Sequence, residues 1–418
     1  MEGARHLAVF FDNRSEKSGW IGQLFNGDLP RGLEWLEGKN GALFSRAAIE
    51  RYMEEEELHD RKILTPGTSQ SLKSMSSGER KKALLAYLLA SRPDFLVLDN
   101  PFDNLDRDSQ ESLRGMLEVL AESTSIILLI SRSSDLLPFI GKFGYLAGEK
   151  LEMEDSPEAI RRRMQPGASP FQKDLPPPPD VMPIGKGPLV EFRKVSVSYS
   201  GKPILTGIEW RIMPGDFWEL AGPNGSGKTT LLSMITGDNP KGFGQELYLF
   251  GQRKGSGESV WDIKRQLGYF TPAMIDRFRG YHSVEHMLIS GLTDSVGLYV
   301  RPTETELRTA RTWLHLLGLD AYRNAYFHDL SVGYQRLVMC ARAMVKHPPL
   351  LILDEPTAGL DDASAALFVS LVNKIGKESS SAIIFVSHRK EPGLKPDATF
   401  LLQATPKGSV GTIHSPNP

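Results

Sequence analysis

The chain has 418 residues, 49 basic and 51 acidic side chains for a net charge of −2, and a single cysteine, Cys340. At about 100 to 200 residues per domain this length implies two or three units, each burying its own core, while the balanced charge gives no strong signal for nucleic acid. One cysteine excludes an intrachain disulfide framework or a multi-cysteine zinc site and fits a reducing cytoplasm, and no stretch reaches the roughly 18 apolar residues of a membrane span.

Taken in chain order, the apolar run Leu7 to Phe11 reads as a buried strand without signal-peptide architecture. The acidic run Glu54 to Glu57 and the basic run Arg161 to Arg163 read as solvated helix faces. Ser76, Gly78 and Glu79 precede an apolar-patterned helix, and Phe95 to Asp99 reads as a buried strand ending in a carboxylate. Residues 166–188 read as a linker, with Pro176 to Pro179 favouring extended polyproline geometry. Beyond it, strand patterns at Phe217 to Ala221, Leu350 to Leu353 and Ala382 to Val386 alternate with helix patterns at Lys228 to Thr236 and Ala363 to Lys377. That is an α/β chain with mainly parallel central sheets, whose ligands bind at the carboxyl ends of the strands.

The two sides of the linker repeat one another. Met75-Ser76-Ser77-Gly78-Glu79-Arg80 precedes Phe95-Leu96-Val97-Leu98-Asp99-Asn100-Pro101, as Leu330-Ser331-Val332-Gly333-Tyr334-Gln335 precedes Leu350-Leu351-Ile352-Leu353-Asp354-Glu355-Pro356. Gly78 to Asp99 spans 21 positions, as does Gly333 to Asp354, and both copies continue to a Leu-Asp pair, Leu105-Asp106 and Leu360-Asp361. Such internal similarity predicts two copies of one domain, at residues 1–165 and 189–418.

In the second copy, Gly222-Pro223-Asn224-Gly225-Ser226-Gly227-Lys228-Thr229-Thr230 follows a strand and opens a helix, the context of a phosphate-binding loop. Its glycines let backbone N–H groups curl around phosphates, Lys228 reaches the β and γ oxygens, and the Thr229 hydroxyl coordinates Mg²⁺. Asp354, ending a strand, is expected to hold Mg²⁺, and Glu355 to polarise the attacking water. His388, after Phe385-Val386-Ser387, stands where a donor touches the γ-phosphate, and Tyr199 lies where an aromatic stacks on adenine or serves as an ordinary strand residue.

These residues resemble the ATP-binding cassette (ABC) superfamily, and the resemblance covers nearly the whole chain. Gly255-Ser256-Gly257-Glu258-Ser259-Val260-Trp261-Asp262-Ile263-Lys264, followed by Leu267-Gly268-Tyr269, is further similar to the ModF-type tandem cassette proteins. The resemblance implies two tandem P-loop NTPase domains with helical subdomains, and ATP hydrolysis with Mg²⁺. It further implies that the signature loop of one cassette caps the nucleotide held by another. It also implies a separate membrane-spanning transporter subunit and a place in the cytoplasm, at the inner face of the membrane. The glutamine that the family carries after Leu-Gly-Tyr is replaced around Thr271-Pro272, which favours the alternative of a soluble regulatory or translation-associated ATPase.

The first copy is degenerate. Aligned on the strands, Phe11-Asp12-Asn13-Arg14-Ser15-Glu16-Lys17-Ser18 occupies the loop position, with Phe11, Arg14 and Glu16 in place of glycines. Whether or not that alignment holds, no working phosphate loop is left. Asn100 replaces Glu355 and Arg132 replaces His388, so this half cannot hydrolyse ATP with its own residues. It keeps the signature loop Ser76, Gly78 and Glu79. The expectation is therefore one composite site in an intramolecular cassette sandwich, closed by Ser76 and Gly78, with a homodimer as the competing arrangement.

Overall fold

The computed structural model describes residues 5–13, 15–68, 70–164, 171–179, 185, 187–278 and 280–415. They fall into two compact units, Met1–Gln165 with Gly359–Ala363, and Pro166–Ala358 with Ser364–Pro418.

The first unit runs β1 (His6–Phe11), α1 (Lys17–Asn26), β2 (Gly41–Phe44), α2 (Arg46–His59), α3 (Ser77–Ala90), β3 (Phe95–Asp99), α4 (Arg107–Ala121), β4 (Ser125–Ile130), β5 (Phe143–Ala147), β6 (Lys150–Glu154) and α5 (Pro157–Met164). Its strands form one six-stranded sheet in the order β2-β3-β4-β1-β5-β6, parallel except for the β5–β6 hairpin. Continuous apolar runs suit strands covered on both faces. In β1 the period of two sends Ala8 and Phe10 into one core and Leu7, Val9 and Phe11 into the other.

The second unit runs β7 (Val190–Tyr199), β8 (Lys202–Ile212), β9 (Phe217–Ala221), α6 (Lys228–Ile235), β10 (Leu247–Leu249), β11 (Gln252–Arg253), α7 (Val260–Arg265) and β12 (Leu267–Phe270). It continues with α8 (Val284–Ile289), α9 (Glu304–Leu317), α10 (Val332–Met344), β13 (Leu350–Asp354), α11 (Asp362–Glu378, all but its first two residues), β14 (Ala382–Val386), β15 (Ala398–Gln403) and β16 (Val410–His414). Its six-stranded sheet, β12-β13-β14-β9-β15-β16, has the order of the first unit's sheet strand for strand, closing hairpin included. The repeat in the sequence is thus a repeat of topology. Helices α8, α9 and α10 form a helical layer beside the sheet.

A four-stranded antiparallel sheet, β11-β10-β7-β8, is an addition that the sequence reading did not resolve. Register shifts between Phe192 and Val195 break the alternation of β7, and Lys194 there has φ +52°. Two further readings change. Glu56, placed on a solvated helix face, is buried and accepts the Leu72 N–H at 3.1 Å, closing the turn before α3. In the linker, Phe171 and Pro176 are buried and the Leu175 N–H donates to Glu378 at 3.1 Å, so this stretch docks on the second unit's own fold. Among the described residues no helix is long and apolar enough to cross a membrane.

Candidate functional site

The loop from Gly222 to Gly227 leaves β9 and turns into α6, with Gly222 at φ +149° and Gly227 at φ +94°. Torsion and space both demand glycine there. A Cβ at Gly222 would stand 2.7 Å from the Leu402 carbonyl oxygen, and one at Gly227 2.7 Å from the Leu205 side chain. Lys228 is 7% exposed, and its ammonium donates to the carbonyls of Gly222 (2.7 Å) and Pro223 (3.0 Å), bending over the loop it follows. The buried Ser226 hydroxyl finds no hydrogen-bond partner among the described residues. Thr229 is exposed on the first turn of α6, beside the half-buried Thr230. A glycine-walled turn, the N–H groups of a helix start, a lysine over the opening and a buried unpartnered hydroxyl fit the phosphates of a nucleotide.

The carboxylates come from the neighbouring strands. Asp354 ends β13 and accepts the Tyr269 hydroxyl of β12 at 3.2 Å. Glu355 follows with φ +52°, its N–H donating to the Val386 carbonyl of β14 at 2.9 Å. This left-handed backbone is costly for a glutamate, and here it turns the carboxylate toward the loop after β14. There Glu355 Oε1 meets His388 Nε2 at 2.5 Å. Burial and the adjacent Glu355 charge hold the Asp354 carboxyl above its usual range. Burial acts the same way on Glu355, but the His388 contact and the Lys228 charge outweigh it and bring that carboxyl below its usual range. The two neighbours are pushed in opposite directions, which keeps Glu355 ionised.

Tyr199, at the end of β7, is 41% exposed; its hydroxyl accepts from the Asn239 amide at 2.8 Å, and the Lys241 ammonium lies 5.6 Å from the ring centroid. Ser76 and Glu79 form a reciprocal capping box at the start of α3, and Ser331 caps α10 by accepting the Tyr334 N–H at 3.5 Å. Gly78 and Gly333 are close-packed alike: a Cβ would stand 2.9 Å from Ser109 Oγ in one and 2.6 Å from Ser364 Oγ in the other.

In the first unit the equivalent positions are engaged by other residues of that unit. Lys17 pairs with Asp99 at 2.9 Å, Ser15 Oγ donates to the Leu146 carbonyl at 2.6 Å, and Asp12 accepts the Tyr145 hydroxyl at 2.9 Å. Asn100 keeps the positive φ, +43°, and its side-chain oxygen accepts the Ser131 N–H at 3.1 Å. Arg14 lies outside the described residues.

Sequence reasoning singled out the loop, Asp354, Glu355 and His388, and these do come together around the ends of β9, β13 and β14. It passed over three residues on the same strands and loops. Tyr269 shares a sheet face with Asp354, since its in-register partner is Ile352, two residues before Asp354, which is the signal that identifies it. Thr357 and Glu391, from the loops that carry Glu355 and His388, bond to one another and carry no motif of their own.

The ABC transporter family model matches residues 205–358. Over 340 residues the chain is 37% identical to the ABC transporter ATP-binding protein ModF of Escherichia coli (strain K12), a match covering 78% of this chain and 69% of that protein. An ABC transporter ATP-binding protein of Schizosaccharomyces pombe is 31% identical over 330 residues, covering 77% of this chain and 66% of that one. The match thus spans about two thirds of each relative's length. Among solved structures, that of an RNase-L inhibitor aligns with a TM-score of 0.62 over 98% of this chain and 85% of that chain; at 15% identity it shows the fold alone. With that identity and coverage joined to the loop and strand ends described above, the chain belongs to the ATP-binding cassette family and is an ABC-type ATPase.

Proposed function

We propose that the chain holds MgATP at one site, in its second cassette, and hydrolyses it there as the ATPase component of an ABC transport system whose membrane-spanning part is a separate polypeptide. The observation that carries the single-site reading is the contrast between two lysines. Lys228 bends over a glycine-walled loop, whereas Lys17 is neutralised by Asp99.

The loop Gly222, Pro223, Asn224, Gly225, Ser226 and Gly227 would bind the phosphates through its N–H groups, together with Lys228, Thr229 and Thr230, and the Tyr199 ring would support the adenine. Thr229 and Asp354 would hold Mg²⁺, an ion that usually completes its shell with phosphate oxygens and water; it would supply charge neutralisation of the phosphates. Glu355 would accept the proton of the attacking water, and His388, held against Glu355, would donate to the γ-phosphate. On the sequence's division of labour, the loop Ser76, Gly78 and Glu79 of the first cassette caps the nucleotide of the second. Turnover of radiolabelled ATP by Lys228→Ala and Lys17→Ala tests the single site.

Coupling to transport is supported by the similarity to ModF and implies a cytoplasmic location, at the inner face of the membrane where a membrane partner is present. One observation favours the soluble regulatory or translation-associated reading: β12 is followed by Thr271 and a short 3₁₀ turn, Pro272–Arg277, where the family's glutamine would stand. Co-purification from cells, scored for a membrane protein against ribosomal RNA, separates the two.

A further inference from the structure

The loops after β13 and β14 are tied twice. The first tie is the Glu355–His388 contact, which is partly open to solvent, with side-chain exposures of 32% and 11%. The second lies deeper: the Thr357 hydroxyl donates to Glu391 Oε1 at 2.6 Å, between residues only 4% and 5% exposed. Thr357 stands two residues after Glu355, and Glu391 three after His388. A carboxylate this buried must be held by donors, and a charge-assisted bond of this length fixes both loops at once.

The first cassette supplies a comparison inside the same chain. There Phe102 stands three residues after Asp99, as Thr357 stands three after Asp354, and Asp135 stands three after Arg132, as Glu391 stands three after His388. The carboxylate stays buried, Asp135 being 1% exposed, but the residue in the place of Thr357 has no hydroxyl to offer it. Arg114 of α4 lies 3.8 Å from Asp135 and 4.3 Å from the centroid of the Phe102 ring. In that cassette Asn100 and Arg132 occupy the places of the base and the histidine. The hydroxyl–carboxylate bond thus accompanies the Glu355–His388 pair, and the hydroxyl donor is missing where that pair is replaced.

We propose that Glu391 is a positioning residue for ATP hydrolysis, acting through Thr357 to hold the Glu355 loop and the His388 loop in one fixed relation. The proposal rests on the roles given above to Glu355 and His388. It requires that the buried tie sets the aim of the base and not the affinity for nucleotide, because neither Thr357 nor Glu391 belongs to the loop that would bind phosphate.

The test is steady-state turnover of Thr357→Val, Thr357→Ser and Glu355→Gln, each assayed well below its melting temperature. Thr357→Val keeps the shape and removes the donor. It is expected to lower kcat by about 10- to 100-fold, the cost of small misplacements at reacting groups, and to leave the KM for ATP within about twofold. Thr357→Ser, which restores the hydroxyl, is expected to recover most of the rate. In a Glu355→Gln background, Thr357→Val is expected to add much less than it costs alone, because the group it aims is already gone. If Thr357→Val folds poorly, the double variant Thr357→Val/Glu391→Leu removes donor and acceptor of this bond together and carries the same expectation. Unchanged kcat in the valine variants, with Glu355→Gln inactive, overturns the positioning role alone; so does a rise in KM without a fall in kcat, or a serine variant as slow as the valine one. Full turnover by Glu355→Gln overturns the base itself, and the positioning role with it.

Discussion

In the first cassette Lys17 and Asp99 neutralise one another, with Nζ 2.9 and 3.0 Å from the two carboxylate oxygens, at the positions that Lys228 and Asp354 occupy in the second. The two residue types needed to hold a phosphate and its cation are therefore both present in the first copy, and each is engaged by the other.

Replacing each lysine separates the copies. Lys228→Ala is expected to abolish ATP turnover. Lys17→Ala is expected to leave turnover near wild type and to cost about 0 to 1 kcal/mol of stability, as befits a pair with one partner a third exposed. Radiolabelled ATP turnover and melting temperatures of both variants decide it; equal loss of turnover would make the first loop functional.

Glu355→Gln removes the proton acceptor while keeping the shape of the side chain. Turnover is expected to fall by roughly 10² to 10⁴, the usual worth of a general base, with nucleotide affinity retained. Equilibrium dialysis of the variant is expected to count close to one ATP per chain. Two per chain would end the single-site reading.

Ser76 and Ser331 both cap helices, so Ser→Ala at either costs about 1 kcal/mol of stability through the lost cap. Matched stability loss makes the pair a fair comparison. If the first cassette's loop serves the nucleotide of the second, Ser76→Ala depresses kcat and Ser331→Ala does not. The reverse result would favour a homodimer in which second cassettes serve one another. Aspartate at Gly78 or Gly333 is a poorer probe, because the serine hydroxyl packed against each glycine leaves no room for a side chain.

A fourth prediction concerns the first cassette alone. Burial and the Asp12 carboxylate push the Tyr145 hydroxyl up to about 12, from its ordinary value near 10. The folded state holds this proton more tightly, so the stabilisation is complete below pH 10 and is lost as pH climbs from about 10 to 12. The melting temperature of the wild type should exceed that of Tyr145→Phe at pH 8, and the gap should narrow as pH rises through that window. A gap independent of pH would show that Tyr145 ionises in the folded state as it does in the unfolded chain.

The parts of this fold that the sequence made legible are those written in local pattern. Apolar runs such as Ala382 to Val386, short and rich in β-branched and aromatic residues, read as strands covered on both faces, and the glycines around Lys228 read as a turn that wraps an anion. The equal spacing from Gly78 to Asp99 and from Gly333 to Asp354 exposes the repeat in the sequence itself. What stayed hidden depends on partners far apart in the chain. Glu56 sits in a run of acidic residues and looks solvated until the turn at Leu72 comes to meet it. Lys17 and Asp99 are 82 positions apart, and nothing near either one announces the other. Thr357 and Glu391 are an ordinary threonine and an ordinary glutamate until adjacent parallel strands set their loops side by side. The antiparallel sheet escaped notice because the irregular register of β7 interrupts the alternation by which a half-buried strand is read.

The tight seating of Gly222 against Leu402 of β15, and of Gly227 against Leu205 of β8, bears on how a ligand would arrive. A loop wedged between two sheets has already surrendered its conformational freedom during folding. When an anion settles on it, little further ordering of the protein is required, and the entropy of association falls mainly on the incoming molecule. Stiffening this turn would therefore bring scant improvement in affinity, whereas loosening either sheet beneath it would weaken binding from a distance.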